Sequence, residues 1–362
     1  MQVTRDDVLR FRVRAQELDS DPDRAVSSDD VAILDLGVQD TGPDGAPWAL
    51  ALRGGAVDPA DLVYAWTLRG APHAYRRSEV ASVAAAVAPF SEADAAKRIF
   101  DASKPLKDAG IPVVDALGVI AGEMRDIVRQ PTAKGEMSGE LTRRLPDPYL
   151  RWCRVCEATH PYEQPFRLSA LQAGLELEPG TSPPVLHRIR GWRGRTKRVP
   201  ARLDPVRGVL RFLGPSTPKL VAGYVDSPVK EIAARWPEDV VPVEVEGQRL
   251  DVLADDVDAL SGAEPATEVR LLGPFDLFLQ GRDRELVLPD EAARKDLWRT
   301  IGRPGAVLRG HEVVGSWRPR SSGKKLRIAV TTYSGKSAPK AVAVQAERLA
   351  AFRGQTFDGF VD

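Results

Sequence analysis

Apolar and polar positions alternate in short periods broken by frequent turns, so the chain reads as many small elements rather than a few long ones. Over residues 6–18, Val8, Leu9, Phe11, Val13 and Leu18 recur at helical spacing. A second helix is expected over 28–36. Ser27 or Ser28 with Asp29 and Asp30 can cap it, Val31, Ile33, Leu34 and Leu36 give it an apolar face, and Gly37 ends it. Gly42-Pro43-Asp44-Gly45 is a turn cluster, after which order resumes over 48–52. Residues 63–68 are strand-like and lead into Arg69-Gly70, with 73–77 following. Ser78 and Ser91 are placed to cap helices, and 106–130 carries one or two more.

Residues 133–145 read as a short helix bearing Lys134, Arg143 and Arg144. The stretch 206–237 predicts a helix broken at Gly214-Pro215 and a short helix capped by Ser216 with Pro218 in its first turn. A third helix follows from Ser227-Pro228. Strands over 240–245 and 250–253 flank the turn Glu246-Gly247. Helices joined by tight turns and followed by a hairpin are the pattern of a winged helix. Beyond the acidic, Pro-ending stretch 255–265 the character changes. Short runs at 269–272, 276–279, 285–288, 306–308, 313–317 and 326–332 read as strands of a small, partly closed β domain. A last helix over 337–352 offers Val342, Val344, Leu349 and Phe352 to pack on it. The expected class is α+β. Its units are a winged-helix region at 1–130, a second winged helix at 131–204, a third at 205–264, and a β-barrel-like domain with a C-terminal helix at 265–362.

Composition changes this picture little. Of 362 residues, 43% are hydrophobic and 28% charged, as in soluble globular proteins. Lys and Arg number 51, matched by 51 acids, so net charge gives no argument for nucleic acid and only local clustering can. The 2 cysteines exclude a disulfide framework and point to a reducing cytoplasm. Residues 1–17 are charged throughout, unlike a signal peptide, and no apolar run of about 18 residues predicts a membrane span. The Arg-over-Lys bias fits a GC-rich bacterial genome. No Walker loop, GxGxxG or Ser-His-Asp order is present; Gly214-Pro215-Ser216 and Gly335-Lys336-Ser337 lack the spacing.

Local charge is informative. Arg188, Arg190, Arg193, Arg195, Lys197 and Arg198 fall within twelve residues that hold no acid, interleaved with Ile189 and Trp192. This reads as a hairpin along a phosphate backbone, or else as a solvated wing paired with acids elsewhere. Arg318, Arg320, Lys324, Lys325 and Arg327 form a weaker group. Cys153 and Cys156 with His160 offer three metal ligands, but a tetrahedral site needs a fourth and only His187 is near. The reading favours buried structural thiols, and no metal is expected.

The candidate chemistry lies at Gln39, Asp40 and Thr41. A carboxamide can orient water through its oxygen and its NH2, and a neighbouring carboxylate can take a proton from that water and attract a developing cation. Asp40 and Thr41 before Gly42-Pro43 are equally suited to capping a turn. Trp66 is either core or a stacking platform. Arg69 before Gly70 suits a phosphate contact, because glycine permits close approach and arginine binds bidentately. His73 can bond a phosphate or the site water, or be a satisfied turn histidine. Arg76 and Arg77 extend the positive charge.

Gly37-Val38-Gln39-Asp40-Thr41 followed by Trp66, Arg69 and His73 resembles the signature of the winged-helix DNA glycosylases of the AlkZ/YcaQ type. In order along the chain, Arg211-Phe212-Leu213-Gly214-Pro215-Ser216-Thr217-Pro218, Leu271-Leu272-Gly273-Pro274-Phe275-Asp276, Gly281-Arg282-Asp283-Arg284 and Gly315-Ser316-Trp317 resemble further family elements. The resemblance implies tandem winged helices and a β-barrel enclosing a DNA channel. It also implies a monomeric, cofactor-free enzyme at the bacterial nucleoid that releases alkylated bases from double-stranded DNA. The family shows Gln, an apolar residue, then Gln or Asp. Here either Gln39 takes the second place with Gly37 in the first, or Gln39 takes the first with Thr41 in the second. No lysine lies in the motif, so a monofunctional hydrolase is implied. Gln39, Asp40 and Thr41 would act on the water and sugar, and Trp66, Arg69, His73, Arg76 and the 188–198 cations would hold DNA. The alternative is a non-catalytic winged-helix DNA binder, such as a regulator dimerising through 337–352.

Overall fold

The computed structural model describes residues 1–55, 58–333 and 339–361. Among the described residues, helices surround five small sheets, an α+β arrangement. The helix Arg5–Ala15 starts at a capping box in which Thr4 and Asp7 satisfy each other's backbone N–H groups. Its apolar side chains divide between two cores. Leu9 and Val13 enter the C-terminal core, while Val8 and Phe11 join Val243 and Val252 of the hairpin Val240–Val245 and Gln248–Leu253. The strand Gln2–Val3, unsuspected in the sequence, adds to that hairpin in parallel.

The helix expected over 28–36 is two 3-10 turns, Ser28–Asp30 and Ala32–Asp35. The Arg76 guanidinium takes the carbonyls of Ser28 at 2.8 Å and Val31 at 2.6 Å, acceptors that an α-helix would have used itself. After them come the strand Val38–Gln39 and the helix Gly45–Ala51. Val38–Gln39, Pro72–Arg76 and Leu62–Trp66 form a three-stranded antiparallel sheet in that order. Gln39 stands opposite His73, and His73 opposite Ala65, so these share one face. Val38, Ala74 and Tyr64 share the other and enter the main core.

Ser91 caps Glu92–Arg98 as expected, but Ser78 caps nothing, and the helix Val80–Ala86 starts after a 3-10 turn. The stretch 205–253 gives the helices Pro205–Leu213, Pro218–Val225 and Val229–Ala233 and then the hairpin. Thr217, not Ser216, caps the second helix, because the Ser216 backbone is bonded in both directions to Asp251.

The C-terminal sheet runs Val269–Leu272, Gly305–Arg309, Glu312–Ser322, Lys325–Thr332, Thr356–Val361. Its two edge strands do not pair, so the expected barrel is an open sheet; the helix Pro339–Phe352 packs against both edge strands instead. Val342 and Leu349 are buried there, but Val344 points to solvent. The start of that expected helix, 337–338, lies outside the described residues. The runs 276–279 and 285–288 are helical turns, Leu277–Gln280 and Arg284–Val287, rather than strands. Asp276 caps the first of them through Phe278 N and gives its carboxylate to Arg53, in two bonds of 2.9 Å each. Arg53 and Asp276 are both buried. Arg12, also buried, bonds Asp283 and the carbonyl of Gly214. These paired charges join the N-terminal helix, the helix Pro205–Leu213 and the C-terminal sheet, and hold the segment carrying Gln280 and Arg282 beside Gln39.

Candidate active site

Gln39 is extended and mostly buried, and its amide is half used. Its Nε2 donates to Thr41 Oγ1 at 2.9 Å, and its Oε1 accepts from Arg69 Nη2 at 3.3 Å. A carboxamide can make four bonds, so one donor and one acceptor remain for a water. Arg69 reaches Gln39 because its backbone is left-handed, with φ of 59°, followed by Gly70 at 68°. For a non-glycine residue this conformation costs on the order of 1–3 kcal/mol. The guanidinium also donates to the Tyr224 carbonyl at 2.7 Å and to Gln280 Oε1 at 2.6 Å, and lies 4.5 Å from the Tyr224 ring centre. Gln39 is therefore held from parts of the chain far apart in sequence.

Asp40 Oδ1 accepts from Ala46 N at 3.0 Å and so ties down the first turn of the helix Gly45–Ala51. Burial pushes its carboxyl pKa above the usual 3.8, against the lowering effect of that bond, and Asp44 adds to the rise.

His73 is completely buried. Its Nδ1 lies 2.9 Å from the Ala71 carbonyl and 3.0 Å from Thr67 Oγ1. A carbonyl only accepts, so Nδ1 carries the proton and Nε2 is a bare lone pair. Among the described residues no hydrogen-bond partner meets that nitrogen. Burial, aided by the charge of Arg69, pulls its pKa down to about 3, so the ring is neutral at any working pH. The Thr67 hydroxyl also bonds the Tyr75 hydroxyl at 2.8 Å, and Tyr75 lies on the same sheet face.

Arg282, Arg284 and Arg303 gather beside Arg69. Burial lowers the pKa of all three. Neighbouring guanidinium charges lower those of Arg282 and Arg303 further, the latter to about 10. Arg284 stacks on Trp298 and Arg303 on Phe275, and Arg282 donates to the Gly223 carbonyl. Among the described residues none of these four arginines pairs with an acid. Arg282 and Arg284 line an open cleft of about 1040 Å³ together with Arg5, Lys295 and Trp298, and the acids Glu246, Asp283, Glu285 and Glu291 line it too. Beyond burial, the crowding of Arg69, Arg282 and Arg303 lowers the last two, and such like charge favours a neighbouring anion.

The model of the family described as DNA glycosylase AlkZ-like matches residues 33–352. The chain belongs to the AlkZ-like DNA glycosylase family. It is thus a DNA-repair glycosylase, a hydrolase of N-glycosyl bonds that acts on DNA. Its fold is similar to that of Streptomyces sahachiroi DNA glycosylase AlkZ, with a TM-score of 0.74 and 19% identity over 100% of each chain. No curated protein matches the sequence significantly.

Within this AlkZ-like chain the expected site residues fall into three groups. Gln39, Thr41 and Arg69 come together in one polar cluster, while the Asp40 carboxylate turns to Ala46 N and the Tyr64 side of the sheet. Three expected DNA contacts are corrected. Trp66 is 3% exposed and belongs to the main core. His73, with no exposed surface, cannot reach a phosphate. Arg76 is buried and spends its guanidinium on Asp35, Ser28 and Val31. The third group is the basic stretch. It is a loop following the strand Val185–Arg188 rather than a hairpin of its own. Arg188 is exposed and donates its Nε and Nη2 to the carbonyls of Val128 and Arg125. Arg190, Arg193, Arg195, Lys197 and Arg198 are exposed, and among the described residues no acid pairs with them. Ile189, Trp192 and Val199 root this loop in the cluster that contains Tyr75, Val63 and Ala65, on the Gln39 face of the sheet. Sequence reading missed Tyr224, Gln280 and Arg303 entirely. It noted Arg282 and Arg284 only as a family element.

Proposed function

We propose that this glycosylase excises positively charged alkylated bases, such as N7- or N3-alkylated purines, and that Gln39 holds the attacking water. The supporting observation is the half-satisfied Gln39 amide beside four arginines that lack acids. Such bases leave without a general acid, and the cluster offers none: His73 is neutral, and its Nε2 is an acceptor on the same sheet face. Asp40 keeps a second carboxylate oxygen for the water proton and for the cation developing on the sugar, and its raised pKa makes it a stronger base. General-base help of this kind contributes about 10²–10⁴-fold. Arg69, Arg282, Arg284 and Arg303 bind phosphates flanking the lesion. Their charge opposes a sugar cation, so they are positioned for the backbone and not for the reacting carbon. The exposed cations of 190–198 hold the duplex at a second point.

We read 1–130, 131–204 and 205–264 as three winged helices, a reading supported by the helix–helix–helix–hairpin order over 205–253. The enzyme acts as a monomer in the bacterial cytoplasm at the nucleoid. No described helix is long and apolar enough to cross a membrane. Incubation with duplex DNA containing N7-methylguanine, followed by chromatography of the free base, tests the proposal. Release of N7-methylguanine with an abasic site left in the strand is expected. Binding of that duplex without release overturns the substrate assignment.

A further inference from the structure

Cys153 ends the strand Leu150–Cys153, Cys156 lies in the turn that follows, and His160 is on the returning strand Ala158–Pro161. One ligand atom from each of the three lies within 4.8 Å of the others. The backbone N–H groups of Val155 and Cys156 both point at the Cys153 sulfur, as they do when a Cys-x-x-Cys turn wraps a metal-bound thiolate. His160 supplies a second, independent sign. Its Nδ1 is 2.8 Å from the Pro161 carbonyl, so that nitrogen carries the proton and Nε2 is left as a lone pair. Metal-binding histidines are usually held in this way, with the far N–H tied to a backbone carbonyl. Neither thiol is buried, contrary to the expectation of structural core cysteines: Cys153 is half-buried and Cys156 exposed. His187 is not the fourth ligand, since it lies on another sheet and meets Glu178 at 3.0 Å.

We propose that Cys153, Cys156 and His160 bind one zinc ion, with the fourth coordination position open to water on the exposed side of the turn. Two thiolates and an imidazole form a soft-to-borderline donor set that suits zinc and not a hard cation. The physical role is structural. Among the described residues the hairpin is a two-stranded sheet with no third strand, and such a ribbon is marginal unless something pins it. A metal at the turn supplies that restraint without touching Gln39.

The full-length protein, reduced and stripped of metal, is titrated with Zn²⁺ while the reactivity of its two thiols toward a disulfide reagent is followed. Cd²⁺ is added separately to read sulfur-to-metal charge-transfer absorption. One ion per chain, protection of both thiols and the charge-transfer band are expected. His160→Gln keeps both thiols and is expected to weaken binding about tenfold or more. Cys153→Ser and Cys156→Ser abolish the band. Thiols that react equally fast with and without zinc overturn the proposal, as does zinc uptake that survives both serine variants.

Discussion

The ring of Tyr75 fills the space that a side chain at Gly37 would need. A Cβ placed on Gly37 would stand 2.4 Å from two ring carbons and 2.6 Å from the hydroxyl, and the Gly37 backbone is left-handed at φ 89°. The place that carries the family's first motif residue, when Gln39 is aligned with the second, therefore cannot bear a side chain here. Gln39 bonds Thr41 instead, and the His73–Thr67–Tyr75 chain lies on the same sheet face. Gly37→Ala is expected to destabilise the protein by about 1–3 kcal/mol in thermal or denaturant unfolding. Tyr75→Ala costs stability alone, but the double variant loses less than the sum, because one clash is removed. Strictly additive losses would show that the ring and the glycine do not compete.

Under the proposed function, binding through the 190–198 loop is electrostatic. Arg193→Ala, Arg195→Ala and Lys197→Ala together are expected to weaken binding to undamaged duplexes of any sequence. They also flatten the dependence of log K on log salt by about 0.9 for each phosphate no longer neutralised. A salt slope equal to that of the parent protein would mean the loop faces away from DNA.

Two titrations pull in different directions. The folded state holds the His73 pKa at about 3 against 6.5 for an ordinary histidine. Between those values the unfolded chain takes up a proton that the folded chain refuses. Stability therefore falls as pH drops below 6.5, by up to about 1.4 kcal/mol per unit, and the loss levels off near 3. His73→Gln is expected to reduce that slope in unfolding curves measured across this range. Asp40 titrates above 3.8 because it is buried. Base release should therefore fall on an acid limb displaced upward from the usual carboxylate range, and Asp40→Asn should remove that limb.

Arg53 and Asp276 form the buried joint between the N-terminal region and the C-terminal sheet. Asp276→Ala leaves the guanidinium charged and without its carboxylate. It is expected to cost about 3–5 kcal/mol in chemical unfolding, far more than the loss of an exposed pair. A cost below about 1 kcal/mol would show that water reaches Arg53.

What the sequence disclosed depended on how local the determining contacts are. The Ser91 cap, the strand through Val63 and the hairpin turned at Glu246-Gly247 are written in adjacent residues, and all three were legible. The runs at 276–279 and 285–288 were misread because four residues of mixed polarity fit a strand as well as a turn. The carboxylate that decides the first, Asp276, is fixed by an arginine 223 residues away. The site behaves likewise. Gln39 stood out beside an acid and a turn, but the partners that orient Arg69 lie 155 and 211 residues beyond it. Arg76 looked like a free cation because its acid, Asp35, belongs to another element.

The role given to Gln39 is in the chemical step of base release. Single-turnover release of N7-methylguanine from duplex DNA by the parent enzyme and by Gln39→Ala, with DNA affinity measured alongside, tests it without intermediaries. A fall of about 10²-fold or more in the release rate with affinity nearly unchanged is expected, the mark of an interaction made in the transition state. An unchanged release rate would contradict that role, and so would a loss explained wholly by weaker DNA binding.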